Sequence, residues 1–323
     1  MKPDHQRHSS LRPASVRIRA HILVRLSLFS LLSIPVSAAA QDLEPRAYSA
    51  SPTGLTFALV GFGRSSGDIS FDPSVPITNA SATLYSPILG LGQTFGIFGR
   101  QALFTAVLPY AWGNASGDVG NGQRSLYRSG IGDTKAKLSI NLRGNPAMTP
   151  AEFAKRRHRN FIIGTSVTMN APSGQYSSQK LINIGTNRWA FKPELGFSYP
   201  VKKFDLDLYA SAWLFVQNPA FYPGQNTKSQ APLTALQLHG SYTFRPHFWA
   251  AIDSTWYGGG ATTISGGAPT DRQSNIRLGA TLSFPLAKNQ SLKLAYSNGV
   301  SGRIGAKFST LSVGWQYAWF DRH

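Results

Sequence analysis

The sequence predicts an all-β protein: a transmembrane antiparallel up-and-down β-barrel of about twelve strands, following a cleaved signal peptide. Three observations predict it. Apolar and polar residues alternate with period two in about twelve segments, and the connections between them alternate long and short. Only 14% of the 323 residues are charged, whereas 42% are hydrophobic. A soluble domain carries about 25% charged residues, so part of this surface faces something other than water. Aromatic residues at 12% exclude a disordered chain, and the lack of cysteine excludes disulfide scaffolds, thiolate metal sites and cysteine nucleophiles.

The first element is the targeting segment. Lys2, Arg7, Arg12, Arg17, Arg19 and Arg25 precede an apolar run from Leu26 to Ile34, followed by Pro35 and Val36-Ser37-Ala38-Ala39-Ala40. This is the basic, apolar and small-residue order of a secretory signal, and the run is shorter than the roughly 20 residues of a membrane-spanning helix. Cleavage is predicted before Gln41. The formal charge of +18 then falls to +13, from 26 basic and 13 acidic residues. Residues 41–52 form a short periplasmic segment, too brief for a folded plug, and residues 53–320 form the barrel.

No later stretch approaches 18 apolar residues, so the membrane must be crossed by strands. From 134 to 143, Lys135, Lys137, Ser139, Asn141 and Arg143 alternate with Ala136, Leu138, Ile140 and Leu142. Side chains two apart share a face, so one face is charged and the other apolar. The pattern recurs around residues 188–198, 236–245, 275–284 and 310–319. Strands are placed near residues 53, 81, 100, 130, 160, 188, 204, 232, 247, 274, 290 and 307. An even count returns both termini to one side.

Connections 113–129, 172–187, 218–231 and 258–273 are long and rich in Gly, Ser, Asn and Pro, while 95–99, 200–203, 245–247 and 287–289 are short. Long outer loops and tight inner turns belong to outer-membrane barrels. The one long inner turn, 144–159, carries Thr149-Pro150-Ala151-Glu152, a capping box with proline at the first helical position, and reads as a short periplasmic helix. With odd strands running outward, Trp112, Trp189, Trp256 and Tyr296 mark the outer interface. Tyr199, Phe204, Phe244, Phe248, Phe284 and Trp319 mark the inner one. A soluble β-sandwich offers no reason for two such belts.

About twelve strands leave a narrow lumen. Its expected lining, and the expected solute path, comprises Lys135, Lys137, Lys192, Glu194, Asp205, Asp207, Tyr209, His239, Asp253, Tyr257, Arg277 and Lys293, with Arg143 at one end. Opposed charges beside a path set a transverse field, although polar groups that merely satisfy one another would leave the same pattern. A gate must come from an inward-folded loop, 113–129 or 172–187, or from the N-terminal segment.

Catalytic signals are weak. Gly63-Arg64-Ser65-Ser66-Gly67 matches a nucleophile elbow, but that motif needs a strand, a sharp turn and a helix, and here loop is expected at 68–73. His239 and Ser241 lie two apart on one strand face, about 7 Å between side chains, too far for a direct hydrogen bond. The histidines after position 40, at 158, 239, 247 and 323, lack metal-ligand spacing. Asp68 and Asp72 suit a divalent cation only weakly. No enzyme activity, metal or cofactor is therefore predicted. Basic residues gather at Lys155, Arg156, Arg157 and Arg159 and at Lys202 and Lys203, while the aromatics point the other way, toward lipid, so nucleic-acid binding is excluded.

Several segments carry a more specific likeness: Arg46-Ala47-Tyr48-Ser49-Ala50-Ser51-Pro52-Thr53-Gly54, Phe71-Asp72-Pro73-Ser74, Gly185-Thr186-Asn187-Arg188-Trp189, Phe191-Lys192-Pro193-Glu194-Leu195-Gly196, Tyr242-Thr243-Phe244-Arg245-Pro246 and Asp271-Arg272-Gln273-Ser274-Asn275. With these the chain resembles the outer-membrane family named for the meta-pathway of phenol degradation, over nearly all of the sequence after residue 40. The resemblance implies a bacterial outer-membrane transporter taking up aromatic or other hydrophobic compounds, and carries over no agreed binding residues. One departure concerns the end of the last strand, where Phe320 is followed by Asp321-Arg322-His323 rather than closing the sequence. The expected partners are the lipid bilayer with its lipopolysaccharide, small hydrophobic or aromatic solutes and the barrel assembly machinery, around a monomer. An outer-membrane hydrolase of the lipase or esterase kind, or a structural or adhesive barrel, are the alternatives.

Overall fold

The computed structural model describes residues 43–70, 77–120, 122–156, 158–269, 271–302 and 305–320. The signal peptide expected at 1–40, Asp72 in the first loop, Arg157 and the last three residues lie outside the described residues.

The strands are β1 (Leu55–Ser70), β2 (Ile77–Ile97), β3 (Arg100–Val119), β4 (Gly122–Ile131), β5 (Lys135–Arg143), β6 (Ile162–Asn170), β7 (Ala190–Val201), β8 (Phe204–Phe215), β9 (Asn218–Phe221), β10 (Asn226–Gln230), β11 (Leu233–Arg245), β12 (Phe248–Gly259), β13 (Thr262–Ile264), β14 (Gln273–Ala287), β15 (Gln290–Gly302) and β16 (Gly305–Phe320). Neighbours in the wall pair antiparallel, and β1 closes on β16 from Leu55↔Phe320 to Ser70↔Gly305. Counting β4 and β5 as one interrupted stave, and leaving out β9, β10 and β13, the closed barrel has twelve staves. Closure removes the unpaired edges that lipid cannot solvate, which is why the chain makes a barrel and not an open sheet.

The outer wall is apolar because alternation assigns it so. Val60 and Phe62 on β1, Leu206 and Leu208 on β8, and Leu236 and Leu238 on β11 stand exposed, at the spacing of two that keeps one face toward lipid. Aromatic rings cluster on the outer wall: Tyr85 on β2 stacks on Trp112 on β3, and near the inner ends of β8 and β11 Tyr242 lies between Phe204 and Phe244.

Two connections differ from expectation. Residues 113–129 are not a loop: β3 and β4 continue as a hairpin from Tyr110↔Ile131 to Val119↔Gly122. The run Asp68-Ile69-Ser70 likewise extends β1. Alternation persists in both stretches but is masked by Gly, Ser and Asn, residues more common in loops than in strands, which here are held in register by the neighbouring strand. The turn at 144–159 does hold a helix, α1 (Pro150–Ala154), with Glu152 N donating to Thr149 Oγ1 at 3.3 Å and Thr149 N to Glu152 Oε2 at 2.8 Å. The Thr149 N–H, together with the Thr149 hydroxyl that donates to the same carboxylate at 2.9 Å, holds the Glu152 carboxyl below its ordinary pKa.

At the outer end, β6 stops at Asn170 while β4 continues. The segment 171–187 fills the place beside β4, with Gln175 N donating to Ile131 O at 2.8 Å and Arg128 Nε to Ile182 O at 2.8 Å. Asp133 pins that segment, accepting from Gly174 N at 2.9 Å and from Thr186 N at 3.0 Å. Strands β9, β10 and β13 form a small second sheet above the mouth.

Candidate functional site: the barrel lumen

The lumenal faces of β5 to β8 and β11 to β14 gather nearly every predicted charge, and the N-terminal segment lies among them. Glu194 on β7 is buried and central: Lys192 Nζ stands 3.3 Å and Lys137 Nζ 3.7 Å from its carboxylate, and Tyr48 Oη donates to it at 3.0 Å. Lys137 also pairs with Glu44 at 2.5 Å. The Lys137 ammonium holds the Glu44 carboxyl well below the usual carboxylate range. Burial pushes the Tyr48 hydroxyl up, so it remains a proton donor.

A second network lies one layer nearer the periplasm. Asp205 Oδ2 forms an ion pair with Arg46 Nη2 at 2.8 Å, and the same carboxylate pairs with Arg159; Asp207 accepts Arg46 N at 3.1 Å. Arg46 reaches Ser241 Oγ and Thr243 Oγ1, both at 2.7 Å. Tyr209 is fully buried, receives Ala47 N at 3.1 Å and meets the Tyr48 ring edge-on at 5.3 Å. The seat for Tyr48 is made by two glycines: a methyl group at Gly164 or Gly196 would lie 2.1 or 2.2 Å from its ring. Such close approach requires residues without a Cβ.

His239 and Asp253 form a third cluster, Nδ1 to Oδ1 at 2.6 Å, with Thr281 donating to Asp253 at 2.9 Å and Gln237 at 3.3 Å from the other imidazole nitrogen. Arg277 donates to Ser297 at 2.8 Å. Tyr257 packs with Trp213 and Leu233 nearer the mouth. Lys135 is half-buried, and Lys293 is exposed to the lumen with its ammonium 6.0 Å from the Trp249 ring. Arg143 is exposed at the periplasmic rim beyond a register shift at Asn141. Above these layers, cations stand over rings: Arg188 on Phe215 at 4.4 Å and Lys228 on Phe221 at 5.2 Å. Burial lowers Lys228 to about 7.

The groups suspected of hydrolase chemistry are otherwise engaged. Ser241 Oγ is held by Arg46, and both imidazole nitrogens of His239 face Asp253 and Gln237. Gly63 to Gly67 run straight within β1, paired on both edges, with no turn to present a serine.

Periodicity did not single out two parts of the lumen. One is the N-terminal trio Glu44, Arg46 and Tyr48, whose partners lie 93 to 197 residues away. The other is an apolar strip on β1, β2 and β3. Val60 and Phe62 face outward, so Phe57, Leu59, Gly61 and Gly63 face the lumen. The register sets Leu59 beside Gly90, Gly90 beside Val107, and Ile88 beside Gly61 and Pro109. A methyl at Gly92 would lie 2.2 Å from the Phe57 ring, and one at Gly61 2.7 Å from Ile88. The large apolar groups thus lie flat across glycines and form a smooth wall. Lys135, opposite Val107, and Lys293, opposite Gly314, border it. A signal for this strip exists in the sequence: around 55–63 and 84–92 both alternating sets are apolar or glycine except at Thr56 and Ser86.

Apolar outer wall, closed twelve-stave sheet and polar-filled interior define a β-barrel of the bacterial outer-membrane class. The chain belongs to the family described as "Putative MetA-pathway of phenol degradation", whose pattern it matches over residues 70–314. Among solved structures it is similar to the COG4313 outer membrane channel from Pseudomonas putida F1, at 22% identity and a TM-score of 0.74, covering 86% of this chain and 100% of that one. It is also similar to the beta domain of the Bordetella autotransporter BrkA, at 15% identity and a TM-score of 0.52, covering 83% and 100%. Curated protein sequences provide no match.

Proposed function

We propose that this protein is a channel for small apolar solutes, aromatic compounds among them, that works without covalent chemistry and rests closed by its own N-terminal segment. The lumenal strip of Phe57, Leu59, Ile88, Val107 and Pro109 carries the reading. A lumen serving only ions has no use for such a wall, because an ion gains nothing from apolar surface, whereas an apolar ring sliding over it is desolvated at every step. The family's association with phenol degradation supports the same solute class. The charged clusters on the opposite wall hold the segment 43–54 in place and orient the dipole of a solute passing them. The barrel acts as a monomer among phospholipid and lipopolysaccharide and is inserted by the barrel assembly machinery.

Whole-cell uptake of a labelled aromatic compound tests the proposal. A strain lacking the protein should accumulate it several-fold more slowly than the complemented strain at low external concentration. Equal rates would refute the reading.

A further inference from the structure

A cavity of about 890 Å³ lies on the outside of the barrel, in its periplasmic half. Its floor is Gly240 on β11. In register, Gly240 is flanked by Leu206 on β8 and Ile252 on β12, and both side chains stand exposed on the lipid face, Ile252 at 75%. A methyl group at Gly240 would find its nearest neighbour, Leu206 Cδ2, only at 4.0 Å, so the space above it is open. The groove runs toward the inner interface, where Phe204 and Tyr242 meet edge-on at 4.8 Å.

Two turns close that end. Lys202 and Lys203 join β7 to β8; Pro246 and His247 join β11 to β12, whose paired ends are Arg245 and Phe248. Thr243 N donates to Lys203 O at 2.8 Å, which holds the turns side by side. Lys202, Lys203 and Arg245 are exposed, and the nearest carboxylate in sequence, Asp205, points inward to Arg46 and Arg159. The result is an apolar trough as deep as one side chain, ending below an aromatic pair and three cations with no neighbouring anion in these turns.

We propose that this groove is a binding site for an anionic glycerophospholipid of the periplasmic leaflet. An acyl chain lies over Gly240 between Leu206 and Ile252, the glycerol region lies against Phe204 and Tyr242, and the phosphate meets Lys203 and Arg245. The site is separate from the lumen and independent of the transported solute. Charge complementarity selects an anionic headgroup over a zwitterionic one, since each basic residue near the surface attracts anionic lipid. Gly240 matters because any larger side chain there would fill the trough.

The test is native mass spectrometry of the full chain, purified in mild detergent and exposed to equal amounts of phosphatidylglycerol and phosphatidylethanolamine. Wild type should retain phosphatidylglycerol with about tenfold preference. Gly240→Leu should lose most retention of both lipids. The Lys202→Gln, Lys203→Gln, Arg245→Gln variant should keep chain binding but lose the preference. Heat-dependent gel mobility reports folding of each variant, and the triple variant decides the question if Gly240→Leu does not fold. Equal retention of the two lipids by wild type, retention unchanged in the variants, or occupation by a small apolar solute in place of lipid would overturn the proposal.

Discussion

Tyr48→Ala is expected to convert a mostly closed barrel into a mostly open one, read as single-channel conductance in planar bilayers. The ring is 2% exposed, seated on Gly164 and Gly196 and edge-on to Tyr209, and its hydroxyl donates to Glu194 and Ser166. Truncating a buried aromatic side chain costs about 3 kcal/mol or more. At about 1.4 kcal/mol per factor of ten, the population in which the segment has left the lumen rises roughly a hundredfold. The barrel itself should not be destabilised, because its staves close through backbone pairing that Tyr48 does not enter. Gly196→Ala should act in the same direction by evicting the ring from its seat. Conductance indistinguishable from wild type in both variants would show that the segment does not close the path.

Replacing Leu59 and Val107 together by Asp is expected to abolish most aromatic uptake while leaving the pore permeable to ions. Both side chains lie on the lumenal strip, flanking Gly90. Two carboxylates there wet the wall and remove the apolar contact a ring would make. At about 25 cal/mol per Å² of apolar area, losing on the order of 100 Å² of contact costs about 2.5 kcal/mol, or nearly two orders of magnitude in rate if that contact is made at the narrowest point. The mirror experiment places Asp at Val60 and Leu108, on the outer face of the same strands. That pair should impair membrane insertion and not selectivity. Uptake retained in the Leu59/Val107 variant, measured in the same strain and at equal surface abundance, would remove the strip from the path.

The fold was legible because a membrane barrel leaves little freedom: period-two alternation, short inner turns and aromatic ends are all imposed by lipid, and every stave but the fourth begins within four residues of its expected place. The capping box at Thr149 was equally local, and the helix it announces is present. What stayed hidden depended on distance. Arg46 meets Asp205, Ser241 and Thr243, and nothing in the sequence near Arg46 points to strands more than 150 residues onward. The hairpin at 113–129 was hidden for another reason. Its glycines and serines read as loop because their strand propensity is low, and the pairing of β3 with β4 outweighs it. The apolar strip went unread because a polar interior is the general expectation for such barrels, and an apolar face on both sides of a strand leaves no alternation to detect.

Photolabelling tests the central claim most directly. Isolated outer membranes would be irradiated with an aryl diazirine small enough to enter the barrel, and the modified residues mapped by mass spectrometry. The proposed path predicts label on the lumenal positions of the strip, Leu59, Ile88 and Val107, increased when Tyr48 is replaced by Ala. Label confined to the lipid-facing positions of the same strands, Val60, Leu89 and Leu108, in wild type and variant alike, would contradict it.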